Sequence, residues 1–227
     1  MDPVHIRDLT HAYGQGELRR PVLRNVSLTI HAGEVVLLTG PSGSGKTTLL
    51  TLIGALRGMQ EGACRVLGRE LARASERDRV ALRRCIGFIF QSHTLPGFLT
   101  ARQNVAMALE VDATDPECAR LARADAMLAA VDLVGHEHKM PGRLSGGQRQ
   151  RVSIARALVA GPGLVLADEP TAALDKVAGA GVAHLLRDIA KSRGTPVLIV
   201  THDPRIRDIA DRIVTMEDGR IVETDAA

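Results

Sequence analysis

Short apolar runs with the length of buried strands recur along this 227-residue chain and alternate with longer amphipathic runs. The predicted strands cover residues 26–30, 35–39, 85–91, 164–167 and 197–201. The predicted helices cover residues 46–56, 75–84, 148–160 and 176–193. A closing hairpin, 212–216 with 220–223, is predicted around Asp218-Gly219. Strands that alternate with helices in this way indicate an α/β sheet.

A long segment without strand signals interrupts this alternation. From Thr100 onward the pattern is helical for about sixty residues. Residues 114–117 (TDPE) form a strong helix start, and Gly135 is the predicted end of that helix. We therefore predict one domain over residues 1–227, with a helical subdomain at about 92–160 inserted in the α/β core.

Composition narrows the cellular setting and the class of partner. The apolar runs are far shorter than the roughly 18 residues of a membrane span, and the N-terminus lacks the pattern of a signal peptide. Cys64, Cys85 and Cys118 are too widely spaced for a zinc site or a disulfide framework, which favours a reducing cytosol. With 2% aromatic residues and a net charge of +3, the chain is a poor candidate for binding nucleic acid.

A glycine-rich loop joins the predicted strand 35–39 to the helix that begins at Lys46. Its sequence, GPSGSGKT, fits the pattern GxxxxGK[ST], in which backbone N–H groups surround phosphates. Lys46 is expected to reach the β- and γ-phosphates, and the Thr47 hydroxyl to bind Mg²⁺. Because the pattern arises by chance in roughly one chain in a hundred, we interpret the loop as a nucleotide site. The predicted nucleotide-binding residues of this loop are Gly40, Pro41, Ser42, Gly43, Ser44, Gly45, Lys46, Thr47 and Thr48.

Two acidic residues follow the apolar strand at 164–167. Asp168 is placed to hold Mg²⁺, and Glu169 to orient and deprotonate the attacking water. Taken alone, such a pair is equally well explained as acids that solvate a strand end. Together with the glycine-rich loop, the pair predicts the catalytic half of an ATPase site.

A second glycine-rich sequence, LSGGQ, precedes the predicted helix 148–160. Ser145, Gly146, Gly147 and Gln148 offer a hydroxyl and a helix N-terminus, which together form a phosphate-binding surface. An ordinary serine-capped helix is the alternative explanation. Because one chain needs one such surface for each γ-phosphate, the second surface suggests a nucleotide held by another subunit.

These motifs occur in a fixed order with LVLADEP, ALD and VTHD, and the set resembles the ATP-binding cassette (ABC) ATPases over essentially the whole chain. The resemblance implies a phosphate-loop (RecA-like) α/β core, an N-terminal antiparallel β subdomain, an inserted α-helical subdomain, and hydrolysis of ATP with Mg²⁺. It implies that Tyr13 stacks on adenine and that Gln91 touches Mg²⁺ and the membrane partner. It also implies that His202 contacts the γ-phosphate and holds the water with Glu169, although a lone histidine after a strand is more often structural.

The same resemblance implies how two cassettes meet. Ser145 and Gly147 would bind the γ-phosphate of a nucleotide on a partner subunit, so that two cassettes enclose two ATP molecules. Asp175 would lie at the seam of this dimer.

Two classes of ABC protein compete, namely transporter subunits and soluble proteins that act on DNA or ribosomes. The chain has no coiled-coil or zinc insertion of the DNA-repair type and no second cassette of the translation type. It also lacks the Asn-Lys-x-Asp motif of GTPases. We therefore predict a transporter subunit whose permease is a separate chain.

The segment 97–105 (GFLTARQNV) is similar to the ATPases of lipoprotein release and macrolide export, and within that group to the DevA-type ATPases of glycolipid exporters. The similarity implies an ATP-dependent homodimer at the cytoplasmic face of the inner membrane, a permease, a periplasmic adaptor and an outer-membrane channel. The expected cargo is lipid-like or amphipathic, with lipoprotein release and macrolide or peptide efflux as alternatives.

The three phenylalanines lie in or beside the segment that follows helix 75–84. Phe88 and Phe90 share one face of the predicted strand 85–91, which favours packing in the core. Phe98 follows in a Pro-Gly segment and is a candidate anchor for the permease.

Overall fold

The computed structural model describes residues 2–91, 95–112 and 115–226. Within these ranges the strands are β1 Val4–Tyr13, β2 Arg20–Ile30, β3 Val35–Thr39, β4 Glu61–Val66, β5 Arg69–Glu70, β6 Ile86–Ile89, β7 Leu164–Asp168, β8 Val197–Val200, β9 Arg212–Glu217 and β10 Arg220–Ala226. The α-helices are α1 Lys46–Ile53, α2 Glu76–Arg83, α3 Ala101–Ala106, α4 Glu117–Ala130, α5 Gly146–Leu158 and α6 Lys176–Arg193. Short 3₁₀ helices cover Gly16–Leu18, Met107–Asp112, Pro141–Arg143 and Pro204–Ile209.

The strands form two sheets of different kinds. A six-stranded sheet has the order β10-β9-β3-β8-β7-β6, and every neighbouring pair except β10–β9 is parallel. A four-stranded antiparallel sheet has the order β2-β1-β4-β5. The predicted α/β core and the N-terminal antiparallel β part are both present.

Strand β3 lies between two hydrophobic cores, because successive side chains of a strand point to opposite faces. Val35 and Leu37 pack in the core shared with α3 to α6, whereas Val36 and Leu38 pack in the core shared with α1 and the antiparallel sheet. All four side chains are fully buried, and each contributes about 2 kcal/mol by leaving water. This continuous apolar run fixes the strand that carries the glycine-rich loop.

Helix α6 begins and ends where the sequence predicts. The Asp175 carboxylate accepts a hydrogen bond from the Ala178 N–H at 2.9 Å, which caps the first turn. Gly194 ends the helix in the left-handed conformation, with φ 67°. The hairpin turn also follows the prediction, because Asp218 and Gly219 both have positive φ, 45° and 78°.

The predicted helix end at Gly135 is wrong. Helix α4 stops at Ala130, and a turn follows in which Asp132 takes a positive φ of 56°. Pro116 occupies the N-cap position, while the predicted start at Thr114 lies outside the described residues. The predicted helix 46–56 likewise ends earlier, at Ile53, with Gly54 as its C-cap.

The sequence predicts an N-terminal antiparallel β subdomain but sets no bounds for its strands β1, β4 and β5. The alternation of apolar side chains in β1 breaks at Asp8, where a φ of 52° accompanies a shift of register between Ile6 and Leu9. Such a bulge places an extra residue in the strand and changes which face the next side chain occupies.

Among the described residues, no helix combines the length and the apolar character that crossing a membrane requires.

Candidate nucleotide site

The glycine-rich loop turns sharply between the end of β3 and the start of α1. Gly40, Gly43 and Gly45 have positive φ values of 129°, 81° and 102°, which glycine adopts without strain. A side chain at Gly40 would collide with the carbonyl oxygen of Met216 in β9. The backbone therefore needs glycine here for its conformation and for its close approach to the neighbouring strand.

The hairpin β9–β10 supports this loop from behind. The Gly219 N–H donates a hydrogen bond of 3.1 Å to the carbonyl oxygen of Ser44. A Cβ atom on Gly219 would in turn collide with the carbonyl oxygen of Val22 in β2. The loop is thus held between the hairpin and the antiparallel sheet.

The side chain of Lys46 curls back over the loop that carries it. Its Nζ donates to the carbonyl oxygens of Gly40 at 2.7 Å and Pro41 at 2.8 Å. Burial lowers the pKa of Lys46, while the negative charges of Glu169 and Asp168 act in the opposite direction. A cation is therefore fixed at the loop, close to two carboxylates.

A cavity of about 410 Å³ lies at the carboxyl edge of the parallel sheet. Neighbouring parallel strands present their carboxyl ends at one edge, so β3, β8 and β7 deliver their loops to the same place. The residues that line the cavity are Val22, Ser42, Gly43, Gly45, Lys46, Thr47, Thr48, Gln91, Asp168, Glu169, Val200 and His202. The structure thus brings together the loop, both carboxylates, Gln91 and His202, which the sequence had selected separately.

The residues predicted to bind metal form an oxygen-rich group on one side of this cavity. The Thr47 hydroxyl donates to Asp168 Oδ2 at 3.0 Å, and the Gln91 side chain lines the same space. Hydroxyl, carboxylate and amide oxygens suit Mg²⁺, which completes its shell with water and substrate phosphates. No cluster of three His, Cys, Asp or Glu side chains that could hold a metal occurs in the described part of the chain.

Glu169 is held in an unusual backbone conformation by the loop that follows β8. Its φ of 48° lies in the left-handed region, which is rare for a residue other than glycine. Its carboxylate accepts hydrogen bonds from the His202 N–H at 3.1 Å and from the Thr201 hydroxyl at 3.2 Å. His202 Nε2 lies 3.9 Å from Glu169 Oε1. Thr201, hidden within the VTHD motif, is a contact that the sequence analysis missed.

Tyr13 lies in a second cavity, of about 520 Å³, between the end of β1 and the segment after α1. Its hydroxyl lies 3.2 Å from Thr48 Oγ1, which ties the ring to the helix of the glycine-rich loop. The guanidinium of Arg57 lies 4.9 Å from the ring centroid, and the His11 ring meets it edge-on at 5.3 Å. Arg57 was not identified from the sequence, because one arginine carries no signal of such a contact.

Ser145 begins α5 with a capping box. Its Oγ accepts from the Gln148 N–H at 3.2 Å, and the Gln148 Oε1 accepts from the Ser145 N–H at 2.9 Å. Gly147 and Asp175 line a third cavity, of about 330 Å³, together with Ser145 and Gln148. Among the residues that the structure describes, none lines both this cavity and the one around Lys46. The capping role is thus observed at this helix end, and the phosphate-binding role of Ser145 and Gly147 stays a prediction.

The phenylalanines differ in their surroundings. Phe88 packs against the antiparallel-sheet core, and its ring stacks on Phe90 with centroids 5.6 Å apart. Phe90 is 37% exposed and Phe98 is 80% exposed. The expectation of core packing is thus met by Phe88 but not by Phe90.

Three features define a phosphate-loop ATPase cassette in this fold. They are the glycine-rich loop, the two carboxylates at the end of β7, and helix α5, which begins within the LSGGQ sequence. A sequence model described as "ABC transporter" matches residues 23–172. The chain therefore belongs to the ABC transporter family, as an ATP-hydrolysing domain.

Relatives named for different transport functions are equally similar in sequence to the chain. The macrolide export ATP-binding/permease protein MacB of Marinobacter nauticus is 42% identical over 99% of this chain and 35% of its own length. The methionine import ATP-binding protein MetN of Mesorhizobium japonicum is also 42% identical, over 98% of this chain and 60% of its own length. The chain thus spans about a third of the macrolide-export protein.

The solved structures include a close match to the fold. The dimeric, post-hydrolysis structure of the ATP-binding cassette MJ0796, bound to ADP and Pi, superposes with a TM-score of 0.93 at 36% identity. The match covers 98% of each chain.

Proposed function

We propose that Lys46, Glu169 and His202 hydrolyse ATP in the cavity at the carboxyl edge of the parallel sheet. The glycine-rich loop and Lys46 bind the phosphates, and Glu169 takes a proton from the water that attacks the γ-phosphorus. The bond to the β–γ bridging oxygen breaks, which releases ADP and inorganic phosphate. The convergence of all these groups in one cavity is the observation that carries the proposal.

Thr47, Asp168 and Gln91 would hold Mg²⁺ in this proposal. Bound there, Mg²⁺ would supply positive charge beside the phosphate oxygens. We expect EDTA to abolish phosphate release by the chain, and excess Mg²⁺ to restore it. Undiminished release in EDTA would contradict the metal assignment while leaving Lys46 and Glu169 in place.

We further infer that two copies close on two ATP molecules. The signature cavity, which contains Ser145 and Gly147, is separate from the phosphate-loop cavity of the same chain. The dimeric structure named for MJ0796 supports the same arrangement by similarity. The chain should therefore form dimers in ATP and separate once the products of hydrolysis have left, as light scattering would show.

A permease segment with apolar and acidic side chains is the proposed occupant of a groove beside β6. This groove of about 730 Å³ runs along the stacked Phe88 and Phe90 and is also lined by Arg83 and Arg123. Arg83 pairs with Glu76 and Arg123 with Asp115, but four arginines line the groove against that one aspartate. This excess of basic residues complements acidic side chains. Phe90→Ala should reduce stimulation of hydrolysis by the permease, and Val222→Ala, an exposed position on β10, is the matched control.

We propose that the cassette powers export of an amphipathic substrate, through a separate permease with a periplasmic adaptor and an outer-membrane channel, from the cytoplasmic face of the inner membrane. The similarity to MacB supports export, and the DevA-type glycolipid group remains part of this proposal. The equally similar MetN makes methionine import the second candidate. Lipoprotein release and a soluble role on DNA or ribosomes are the further alternatives.

Deletion of the gene separates these candidates. Loss of export predicts macrolide sensitivity, retained lipoproteins or a changed envelope lipid profile. A selective defect in methionine uptake would instead support the import alternative. Defects in DNA repair or translation with unchanged transport would contradict a transporter role.

A further inference from the structure

Two loops meet directly behind the proposed water-activating carboxylate. One follows β7 and includes Glu169 and Thr171, and the other follows β8 and includes Thr201 and Asp203. Because Glu169 has a left-handed φ of 48°, its conformation has to be imposed by its surroundings. The contacts between the two loops supply that constraint.

The first set of contacts acts on Glu169 itself. Its N–H donates to the Val200 carbonyl oxygen at 2.8 Å, and its carboxylate receives the Thr201 hydroxyl and the His202 N–H. Every one of these partners belongs to β8 or to the loop after it. The position of the carboxylate therefore depends on the position of that loop.

A second set of contacts lies farther from the cavity. The hydroxyl of Thr171, which is fully buried, donates to Asp203 Oδ2 at 3.0 Å. The Asp203 N–H donates to Thr201 Oγ1 at 3.0 Å. A threonine hydroxyl has only one proton to give. Because this oxygen accepts from Asp203, its proton is free to point at Glu169.

Arg205 fixes Asp203 in turn. Its Nε and Nη2 donate to the carboxylate at 2.8 Å and 2.7 Å, a two-point contact of the kind that orients a carboxylate strongly. The hydrogen bond from Arg205 lowers the pKa of Asp203 to about 2, so the pair remains ionised at neutral pH. None of Thr171, Asp203 and Arg205 lines the phosphate-loop cavity.

We propose that Thr171, Asp203 and Arg205 form a latch that positions Glu169 and His202 relative to each other. The latch links the loop after β7 to the loop after β8 without touching nucleotide. Its members are positioning residues, and the proposal rests on the role of Glu169 proposed above. The known motifs of the chain account for Glu169 and His202, whereas nothing in them assigns a task to this set.

Thr171→Val tests the latch, because it removes the hydroxyl and keeps the shape. We expect kcat for ATP hydrolysis by the full chain to fall about tenfold, since small displacements of a catalytic group are costly. The KM for ATP should stay within about twofold, because the latch does not reach the nucleotide. Thr171→Ser should restore kcat, since serine retains the donor.

Thr195→Val is the matched control. Thr195 is also buried and its hydroxyl also donates a hydrogen bond, here to the backbone carbonyl of Pro162 and not to a carboxylate, but it precedes β8 at the opposite edge of the sheet. Both valine variants should lower Tm to a similar extent, while only Thr171→Val loses turnover. Equal kcat in the two variants would overturn the latch.

Two further variants keep the test decisive. Arg205→Gln alters a half-exposed side chain, so it should fold even if Thr171→Val does not, and it should lower kcat about threefold at unchanged KM. Unchanged kcat in Arg205→Gln would contradict the proposal. Glu169→Gln, measured in parallel, separates the two claims. If this variant hydrolyses ATP normally, the proposed function fails. If it is inactive while the latch variants have normal kcat, only the latch fails.

Discussion

The phosphate-loop cavity and the signature cavity belong to one chain but differ in the groups they contain. The first holds an ammonium, two carboxylates and an imidazole, from Lys46, Asp168, Glu169 and His202. The second holds the Ser145 hydroxyl and Gly147 at the start of α5, together with the charged side chains of Asp132, Arg151 and Asp175. The ammonium and the imidazole, together with the proposed metal ligands, thus lie in the first cavity, whereas the second combines two carboxylates with a hydroxyl and a helix N-terminus.

This difference indicates a division of work between copies of the chain. In the proposed dimer, a nucleotide at the phosphate loop would have its acids and bases beside it, and helix α5 of the other copy would add hydrogen bonds. Damage to the first cavity should therefore act within one subunit. Damage to the second should act only when two subunits meet.

Glu169→Gln should have the largest effect. Losing the water-activating base lowers kcat by about 10²–10⁴-fold, while the Kd for ATP stays within about twofold, because the amide keeps the shape of the side chain. Steady-state phosphate release and binding of a fluorescent ATP analogue measure the two quantities. Rapid repeated turnover by the variant would remove Glu169 from the mechanism.

Ser145→Arg should follow, with a fall in kcat of about a hundredfold, because a bulky cation replaces the phosphate-binding hydroxyl. ATP should bind the monomer normally. Ser75→Arg is the matched control, since Ser75 caps α2 with the same capping-box geometry and a 3.2 Å bond from Asp78. Both variants lose a helix cap, but only Ser145→Arg should lose hydrolysis. Normal activity in both would contradict the division between copies.

Tyr13→Ala should act on binding by a single subunit, unlike Ser145→Arg. Losing a stacking partner of the base is expected to raise the Kd for ATP about tenfold. Tyr13→Phe keeps the ring and loses only the contact with Thr48, so its Kd should rise less. Isothermal titration provides both values. An unchanged Kd in Tyr13→Ala would exclude the ring as the adenine platform.

Arg57→Ala should have the smallest effect, a rise in Kd of about two- to fivefold. The guanidinium supports the Tyr13 ring without belonging to the phosphate site. Arg57→Ala should not raise the Kd further when Tyr13 is already alanine, because the guanidinium then has no ring to contact. A double-mutant cycle measures this coupling, and additive losses would show that Arg57 acts on the nucleotide independently.

The sequence predicted best what local chemistry determines. Helix α6 follows from Asp175 at its start and Gly194 at its end, and the glycine-rich loop follows from residues that are consecutive. The register of β1 could not be predicted in this way, because the bulge at Asp8 depends on pairing with two distant strands. The end of α4 was missed for a related reason. The turn after it uses a positive φ at Asp132, and the sequence has no glycine there to predict that conformation.

The candidate site shows the same limit. The sequence selected the residues that carry charge or phosphate-binding patterns, and the parallel sheet brings several of them into one cavity. It did not identify Thr201, Thr171 or Arg57, whose contacts come from loops that are far apart in the chain. Hydrogen bonds between loops depend on the assembled fold.

The support of the glycine-rich loop by the closing hairpin has a consequence for biosynthesis. Gly40 approaches Met216, and the Ser44 carbonyl oxygen accepts from the Gly219 N–H, so the loop depends on residues made about 175 positions later. A ribosome that has released only the first half of the chain has made the entire phosphate-binding sequence without its supporting strand. Nascent chains should therefore acquire nucleotide affinity abruptly, once residue 219 has left the exit tunnel.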